Sequence, residues 1–484
     1  MRRSWRALAL ALPLAGCAVG PNFHRPAPPQ VSSYTPDPLP AQIASAAGSQ
    51  SLEQGAPVSA RWWTVFGSAE LDALEDEALR HNPDVASATA ALRAAQQNYL
   101  SQRAALFPTI EGNAQASRQN VAGVLQSALN DNSRTYNLYS LGVTGGYTLD
   151  LFGGVRRGIE GARAQAEQQR FQTEAAYLTV TTNVASTAIT LASTERQVAI
   201  TDQVIAADRR FLDIVVQQQR LGAASGADVA AAQLALSQAE AVRPALIKQQ
   251  AQARDFLAVL VGRYPADHFV APDLAALHLP ATLPVSLPST LADQRPDIRA
   301  AEANLHYASA QVGVAIAARL PNFTINAGTG GTSTTLSTLF TNGNTFWSVA
   351  GNLLQPIFDG GALLHRQHAA QATLDQAKAQ YRSTVLSAMQ NVADVLQAIQ
   401  ADAAEEVSAA AADAAAARAL RIARDQTRLG QVSGAATLPL EAASLQAKQN
   451  LAQAQAQRLT DSVLLFQALG GGWWNKSDGQ APQR

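Results

Sequence analysis

YTLDLFGGVRRG at residues 147–158 and LLQPIFDGGALLH at 353–365 share one construction: a strand tail, a Phe, two glycines, then a long stretch rich in alanine, glutamine and charge. Gly153 and Gly154 in the first, Gly360 and Gly361 in the second, mark strand-to-helix handovers, because a residue without Cβ accepts a sharp bend. Gly153 and Gly360 lie 207 positions apart. HNPDVASATAALRAAQQNY (81–99) matches QRPDIRAAEANLHYASAQV (294–312), and LFPTIEGNA (106–114) matches RLPNFTINA (319–327); both proline pairs differ by 213 positions. RLGAASGADVAAAQ (220–233) matches RLGQVSGAATLPLE (428–441), with Gly222 and Gly430 208 apart. Four ordered markers at nearly constant spacing make this a tandem duplication of about 210 residues, far longer than a solenoid period.

Each half reads the same way. Pro83-Asp84 and Pro296-Asp297 open helices, with Pro near the first helical position and an acid in the first turn. Pro108 and Pro321 stop them. Two strands follow, expected over ~109–117 and ~138–149, then ~322–331 and ~345–357. Helices without a breaker then run over ~155–221 and ~361–429, roughly 100 Å each at the α-helical rise. Gly-Ser-Gly turns reverse the chain, and helices return over ~227–261 and ~435–469. The domain reading is a signal at 1–16, an extended N-terminal segment at 17–60, repeats at 61–265 and 291–474, an equatorial linker at 266–290 and a disordered tail at 475–484.

The strands alternate. Tyr139, Leu141, Val143, Tyr147 and Leu149 take turns with Ser140, Gly142, Thr144, Gly146 and Thr148; Phe323, Ile325 and Ala327 alternate with polar residues, and Trp347, Val349 and Leu353 share a face. Such strands, polar where a core would be, are the pattern of a transmembrane β-barrel. Four strands cannot close one, and lipid does not tolerate an open sheet edge. Two copies give eight strands, whose interior fills with side chains; three give twelve, wide enough for a lumen. A channel therefore implies a trimer.

Composition agrees with long packed helices: 47% hydrophobic, 15% charged and 6% aromatic residues. A net charge of −1 offers no electrostatic reason for a nucleic-acid partner. No apolar stretch after the signal is long enough for a membrane-spanning helix. The single cysteine, Cys17, follows Arg2, Arg3 and Arg6, an apolar run from Ala7 to Leu14, and LAGC at 14–17. Small residues before a cysteine resemble a lipobox, which makes Cys17 the expected site of acylation and outer-membrane lipid the anchor. Ala18, rather than Asp, follows it.

With the lipobox, RWWTVFGSAELDALEDEALRHNPDV (61–85), QRPDIRAAEANL (294–305) and both handovers in view, the chain resembles the outer membrane factors, in the lipoprotein branch called the NodT family. The resemblance runs from Cys17 to about Trp474. It implies an α+β membrane protein, in which three copies form a twelve-stranded β-barrel on a twelve-helix α-barrel. It further implies a passive exit duct for small molecules, served by a periplasmic adaptor and an inner-membrane resistance-nodulation-division pump. A duct for type I protein secretion is the alternative.

The resemblance also places a gate at the helical tips, Gly222–Asp228 and Gly430–Ala436. Ser225 and Asp228 follow the family's S-x-x-D-V pattern. The second tip departs: Pro439 stands where the family usually has aspartate, with Glu441 two further on, and Gln426 and Thr427 replace a frequent Arg-Tyr pair, although Arg428 is adjacent. Dipole stabilisation of a helix start is the plainer role for Asp228. Asp150 and Asp359 read as helix caps. His365 and His368 are three apart but lack further ligands, so no metal site is assigned. Trp62 and Trp63 read as packing residues. No nucleophile elbow, P-loop or dinucleotide fingerprint is present, so neither a catalytic residue nor a cofactor is expected.

Overall fold

The computed structural model describes residues 18–45, 48–122, 134–432 and 434–476. The signal region, Cys17 and residues 477–484 lie outside them; of the tail expected to be disordered from 475, Asn475 is instead held in a 3₁₀ turn over Trp473–Asn475 and donates to the Val58 carbonyl at 2.8 Å. In chain order the elements are β1 (Gln42–Ser45), β2 (Gly48–Gln54), α1 (Ala69–His81), α2 (Pro83–Ala104), β3 (Thr109–Asn120), β4 (Thr135–Leu149), α3 (Gly154–Arg220) and α4 (Gly226–Leu260). Then come β5 (Thr282–Val285), α5 (Pro288–Gln294), α6 (Pro296–Ala317), β6 (Asn322–Ser333), β7 (Thr345–Leu354), α7 (Ala362–Arg428) and α8 (Leu438–Ala468). The chain divides into two units, one of residues 18–25, 92–168 and 301–381, the other of 26–91, 169–300 and 382 onward.

The first unit carries a four-stranded antiparallel sheet in the order β3-β4-β6-β7. The central pairing, β4 with β6, joins the two repeats along eleven residues from Tyr139↔Ser333 to Leu149↔Phe323. β3 and β7 are its edges. β3 pairs along all twelve of its residues although it lacks clear alternation, because β4 supplies a complete ladder for it. β7 ends at Leu354, three residues short of the expected boundary, before Pro356 removes a backbone donor.

The second unit holds most of the length of α3 and α7, each 67 residues in total and free of proline. Their buried faces are small and branched: Ala185, Ala188 and Ile189 on α3, Val392, Leu396 and Ile399 on α7. α8 adds Leu459, Val463 and Phe466, and the ring of Trp62 stacks on Phe466 at 5.4 Å. Trp62 and Trp63 are both buried. α8 begins only at Leu438, after a 3₁₀ turn over 434–437.

Two further expectations need correction. The segment 17–60 is not extended throughout: β1 and β2 form an antiparallel hairpin within it. Residues 266–290 are more than a linker, since β5 pairs in parallel with β2 to complete a three-stranded sheet. The reason is long-range: β2 finds its second partner some 230 residues away, which no local pattern encodes.

Candidate functional site

The register decides the chemistry of the four-stranded sheet. Directly opposed residues share a face. Gly112, Val143, Thr329 and Trp347 form one row; Ile110, Gly145, Ala327 and Val349 the next; Leu149, Phe323 and Leu353 another. This face also carries Leu141, Tyr147 and Ile325, so the apolar sets of all four strands fall together. The opposite face is mostly polar or glycine: its rows include Asn113, Gly142, Gly330 and Phe346; Thr109, Gly146, Asn326 and Ala350; and Thr148, Thr324 and Asn352, with Leu138 and Leu354 as its other large apolar residues on β4 and β7. Ser140 and Thr332 share a hydrogen bond there at 2.8 Å. One wall suits lipid and the other water. Among the described residues no helix is long and apolar enough to cross a membrane.

At the first handover Gly153 adopts φ 80°, and at the second Gly360 and Gly361 adopt 64° and 86°, where a Cβ would be strained. Gly154 begins α3. Asp150 then accepts from the amides of Val155 (3.0 Å) and Arg156 (2.9 Å). Asp359 accepts from those of Gly361 (2.9 Å) and Leu363 (2.8 Å). Hydrogen bonds from the Leu363 and Gly361 amides hold the Asp359 carboxyl below the usual carboxylate range. Both acids are engaged in capping. The exposed rings of His365 and His368 are 6.2 Å apart, and no cluster of three or more His, Cys, Asp or Glu side chains able to hold a metal occurs among the described residues.

At the tips, Gly222 (φ 77°) and Gly430 (φ 71°) close α3 and α7. The amides of Ala223 and Gln431 reach back to the carbonyls of Gln218 and Gln426, the same C-cap twice. Ser225 and Asp228 form a capping box: the Asp228 amide donates to Ser225 Oγ (3.2 Å), and the Ser225 amide to Asp228 Oδ2 (2.7 Å). The Ser225 amide, and the Ser225 hydroxyl, which also donates to Asp228 Oδ2 at 2.8 Å, hold the Asp228 carboxyl below its ordinary range. Arg428 pairs with Asp425 at 3.5 Å on an exposed surface.

Glu441 behaves differently. Its Oε1 accepts from Arg210 on α3 (3.2 Å) and from Arg424 on α7 (3.3 Å), so one carboxylate of α8 ties two other helices. The arginines are well exposed and Glu441 much less so. Neither arginine is marked by local sequence, since both sit among other charges on long helices. α3 makes further polar links: Asp202 accepts from Arg243 of α4 at 2.6 Å, Glu240 of α4 accepts from Arg209 at 2.7 Å, and Gln197 accepts from Gln453 of α8 at 2.9 Å.

A duplicated strand pair and helical hairpin, with an amphipathic sheet and capped tips, can be compared with known proteins. The family model for outer membrane efflux proteins matches residues 74–263 and 287–471, one stretch for each repeat. The chain belongs to the outer membrane efflux protein family. The outer membrane protein OprJ of Pseudomonas aeruginosa is 30% identical over 475 residues, 96% of this chain and 95% of that one. The toluene efflux pump outer membrane protein TtgC of Pseudomonas putida is 31% identical over 492 residues, covering 100% of this chain and 98% of its own. The solved outer-membrane channel OprN superposes with a TM-score of 0.80 at 26% identity, over 94% of this chain and 100% of that one. This outer membrane efflux protein is thus an α+β outer-membrane component of an efflux system, built as a channel.

Proposed function

We propose that this efflux protein works as a homotrimeric, passive exit duct, closed at its helical tips until a pump assembly engages it. Two unfinished surfaces support the trimer. β3 and β7 are open sheet edges, and an edge in lipid leaves backbone groups unpaired. The repeat supplies the second. It relates α2 to α6 and α3 to α7. The start of α3 packs on α6, where a Cβ on Gly154 would lie 3.0 Å from that of Ala317. The equivalent cover for α7 would be α2 of a neighbouring copy. Only Val85 of α2 is buried, and Ile357 and Phe358, before α7, are 96% and 91% exposed. A ring of three copies covers these surfaces and completes twelve strands and a lumen.

Glu441 with Arg210 and Arg424 is the proposed latch at the tips. Gly222, Ser225, Asp228, Gln426, Arg428 and Gly430 shape the turns around it. Cys17, which lies outside the described residues, is the proposed lipid attachment point. A periplasmic adaptor and an inner-membrane resistance-nodulation-division pump complete the assembly, and the duct itself performs no chemistry. The toluene efflux relative supports small, apolar cargo. The observation that carries the reading is the sheet with two dissimilar faces and two open edges. The test is the mass of the protein purified in detergent: a trimer is expected, and a detergent-independent monomer would overturn the barrel.

A further inference from the structure

The residues that follow the proposed lipid-bearing cysteine do not form a leash. Val19 donates its amide to the Phe152 carbonyl at 3.0 Å. The Arg157 side chain, 5% exposed, donates Nε to the Val19 carbonyl (3.2 Å) and Nη2 to Asn22 Oδ1 (2.7 Å) and the Gly20 carbonyl (3.5 Å). Its Nη1 donates to Glu160 (2.7 Å), whose other oxygen bonds to His306 at 2.8 Å. Phe23 stacks on the His306 ring, centroids 4.3 Å apart and planes 12° apart. It also packs on the buried cluster of Leu305, Ala308 and Ala377. Arg25 pairs with Glu302 at 3.1 Å.

The backbones approach closely as well. A Cβ on Gly20 would stand 2.5 Å from Gly313 Cα, and one on Gly153 2.5 Å from Ala18 Cα. Any other residue at 20 or 153 would be strained, both by these backbone contacts and by the positive φ of each glycine.

We infer that residues 18–25 are the fixed ligand of a groove built by the start of α3 with α6 and α7, with Arg157 as its receptor. The groove holds the lipid-bearing end of the chain against the first handover. A buried guanidinium stripped of its acceptors is strongly unfavourable. Without residues 19–22, Arg157 would keep only Glu160 among these partners, so release of the segment is opposed by the charge it would strand. Ala18 lies against Gly153, where β4 gives way to α3, so the proposed attachment point is one residue in sequence from that handover. The lipid then enters the membrane beside the sheet. This role rests on the proposed acylation of Cys17; the groove and its occupant do not.

The test is hydrogen exchange by mass spectrometry on the full-length protein in detergent, with the mass of the N-terminal peptide read in the same digest. Peptides covering 18–25 are expected to exchange slowly in the wild type and about tenfold faster in Arg157→Ala, with sheet peptides unchanged. Should Arg157→Ala fail to fold, Asn22→Ala, which removes one bond, is expected to quicken exchange about threefold. Fast exchange in the wild type, or no change in either variant, overturns the groove. An unmodified Cys17 beside a slowly exchanging segment supports the groove and overturns the anchoring role alone.

Discussion

Asn82 donates its Nδ2 hydrogen to the carbonyl of Leu260 at 2.9 Å, joining the start of α2 to the last turn of α4. Its counterpart 213 residues on, Arg295, donates Nη1 to the carbonyl of Ala468, also at 2.9 Å, joining α6 to α8. The duplication thus preserved a joint while changing the side chain that makes it. Asn82 is buried and also caps α2, accepting from the amides of Asp84 (2.8 Å) and Val85 (3.2 Å).

Asn82→Ala is expected to lower stability by about 1–3 kcal/mol, since it removes a cap and leaves a buried carbonyl unpaired. Asn82→Asp keeps the cap acceptor but loses the donor, and should fall between. Thermal unfolding in detergent measures both.

The tip latch makes an ordered prediction. Glu441→Ala severs both inter-helix pairs, whereas Arg210→Ala or Arg424→Ala severs one. Exposed pairs contribute about 0.2–1 kcal/mol each, so each single loss should raise opening frequency by about 1.4- to fivefold and Glu441→Ala more. Single-channel recording reads the order. Equal effects from all three would remove the shared carboxylate as the latch. Asp228→Ala should act chiefly on the first turn of α4, whose capping box it would break.

A buried charge cluster links the β1–β2 hairpin to α7 and α8. Arg458 is fully buried, donates to Gln50 and the Ala44 carbonyl, and pairs with Glu406 at 3.5 Å. Ser45 also donates to Glu406. Burial pushes the Asp461 carboxyl up to about 7, and the adjacent Asp402 adds to the shift. A carboxyl raised on folding binds more protons in the folded state, so stability falls as pH rises from about 4 toward 7 and levels off above. Asp461→Asn should therefore stabilise at pH 8 by on the order of 1 kcal/mol and do little at pH 4. Melting curves across pH check the sign.

Glu75 on α1 is fully buried, and among the described residues neither of its carboxylate oxygens has a hydrogen-bond partner. Burial, with Asp76 and Asp72 adding, pushes its carboxyl well above the usual range. Glu75→Gln should stabilise at pH 8 by about 1–3 kcal/mol, because a neutral amide replaces a group that must ionise or stay protonated there. No gain in Tm would show that the site is hydrated.

On the sheet, Val349→Lys puts a charge on the apolar face and Asn352→Lys on the polar one. The first is expected to lose about 2–4 kcal/mol of membrane stability if it lies near mid-depth, and the second to be tolerated. Heat-modifiable migration of the folded barrel distinguishes them.

The parts of the fold written locally were legible. The glycine pairs at 153–154 and 360–361 announce bends, alternation announces β4, β6 and β7, and Ser225-x-x-Asp228 announces a helix start. What escaped was set by distant partners. β2, with the sequence GSQSLEQ, has no apolar alternation and exists because β5 lies beside it. Arg157, Arg210, Arg424 and Arg458 look alike in sequence, as basic residues on long helices. Only the fold gives them a tether, two halves of a latch and a buried ion pair.

The most direct measurement is planar-bilayer conductance of the purified full-length protein beside Glu441→Ala. A closed trimeric duct predicts small, rare openings in the wild type and markedly more frequent openings in the variant. Bilayers that stay silent with both proteins would contradict it.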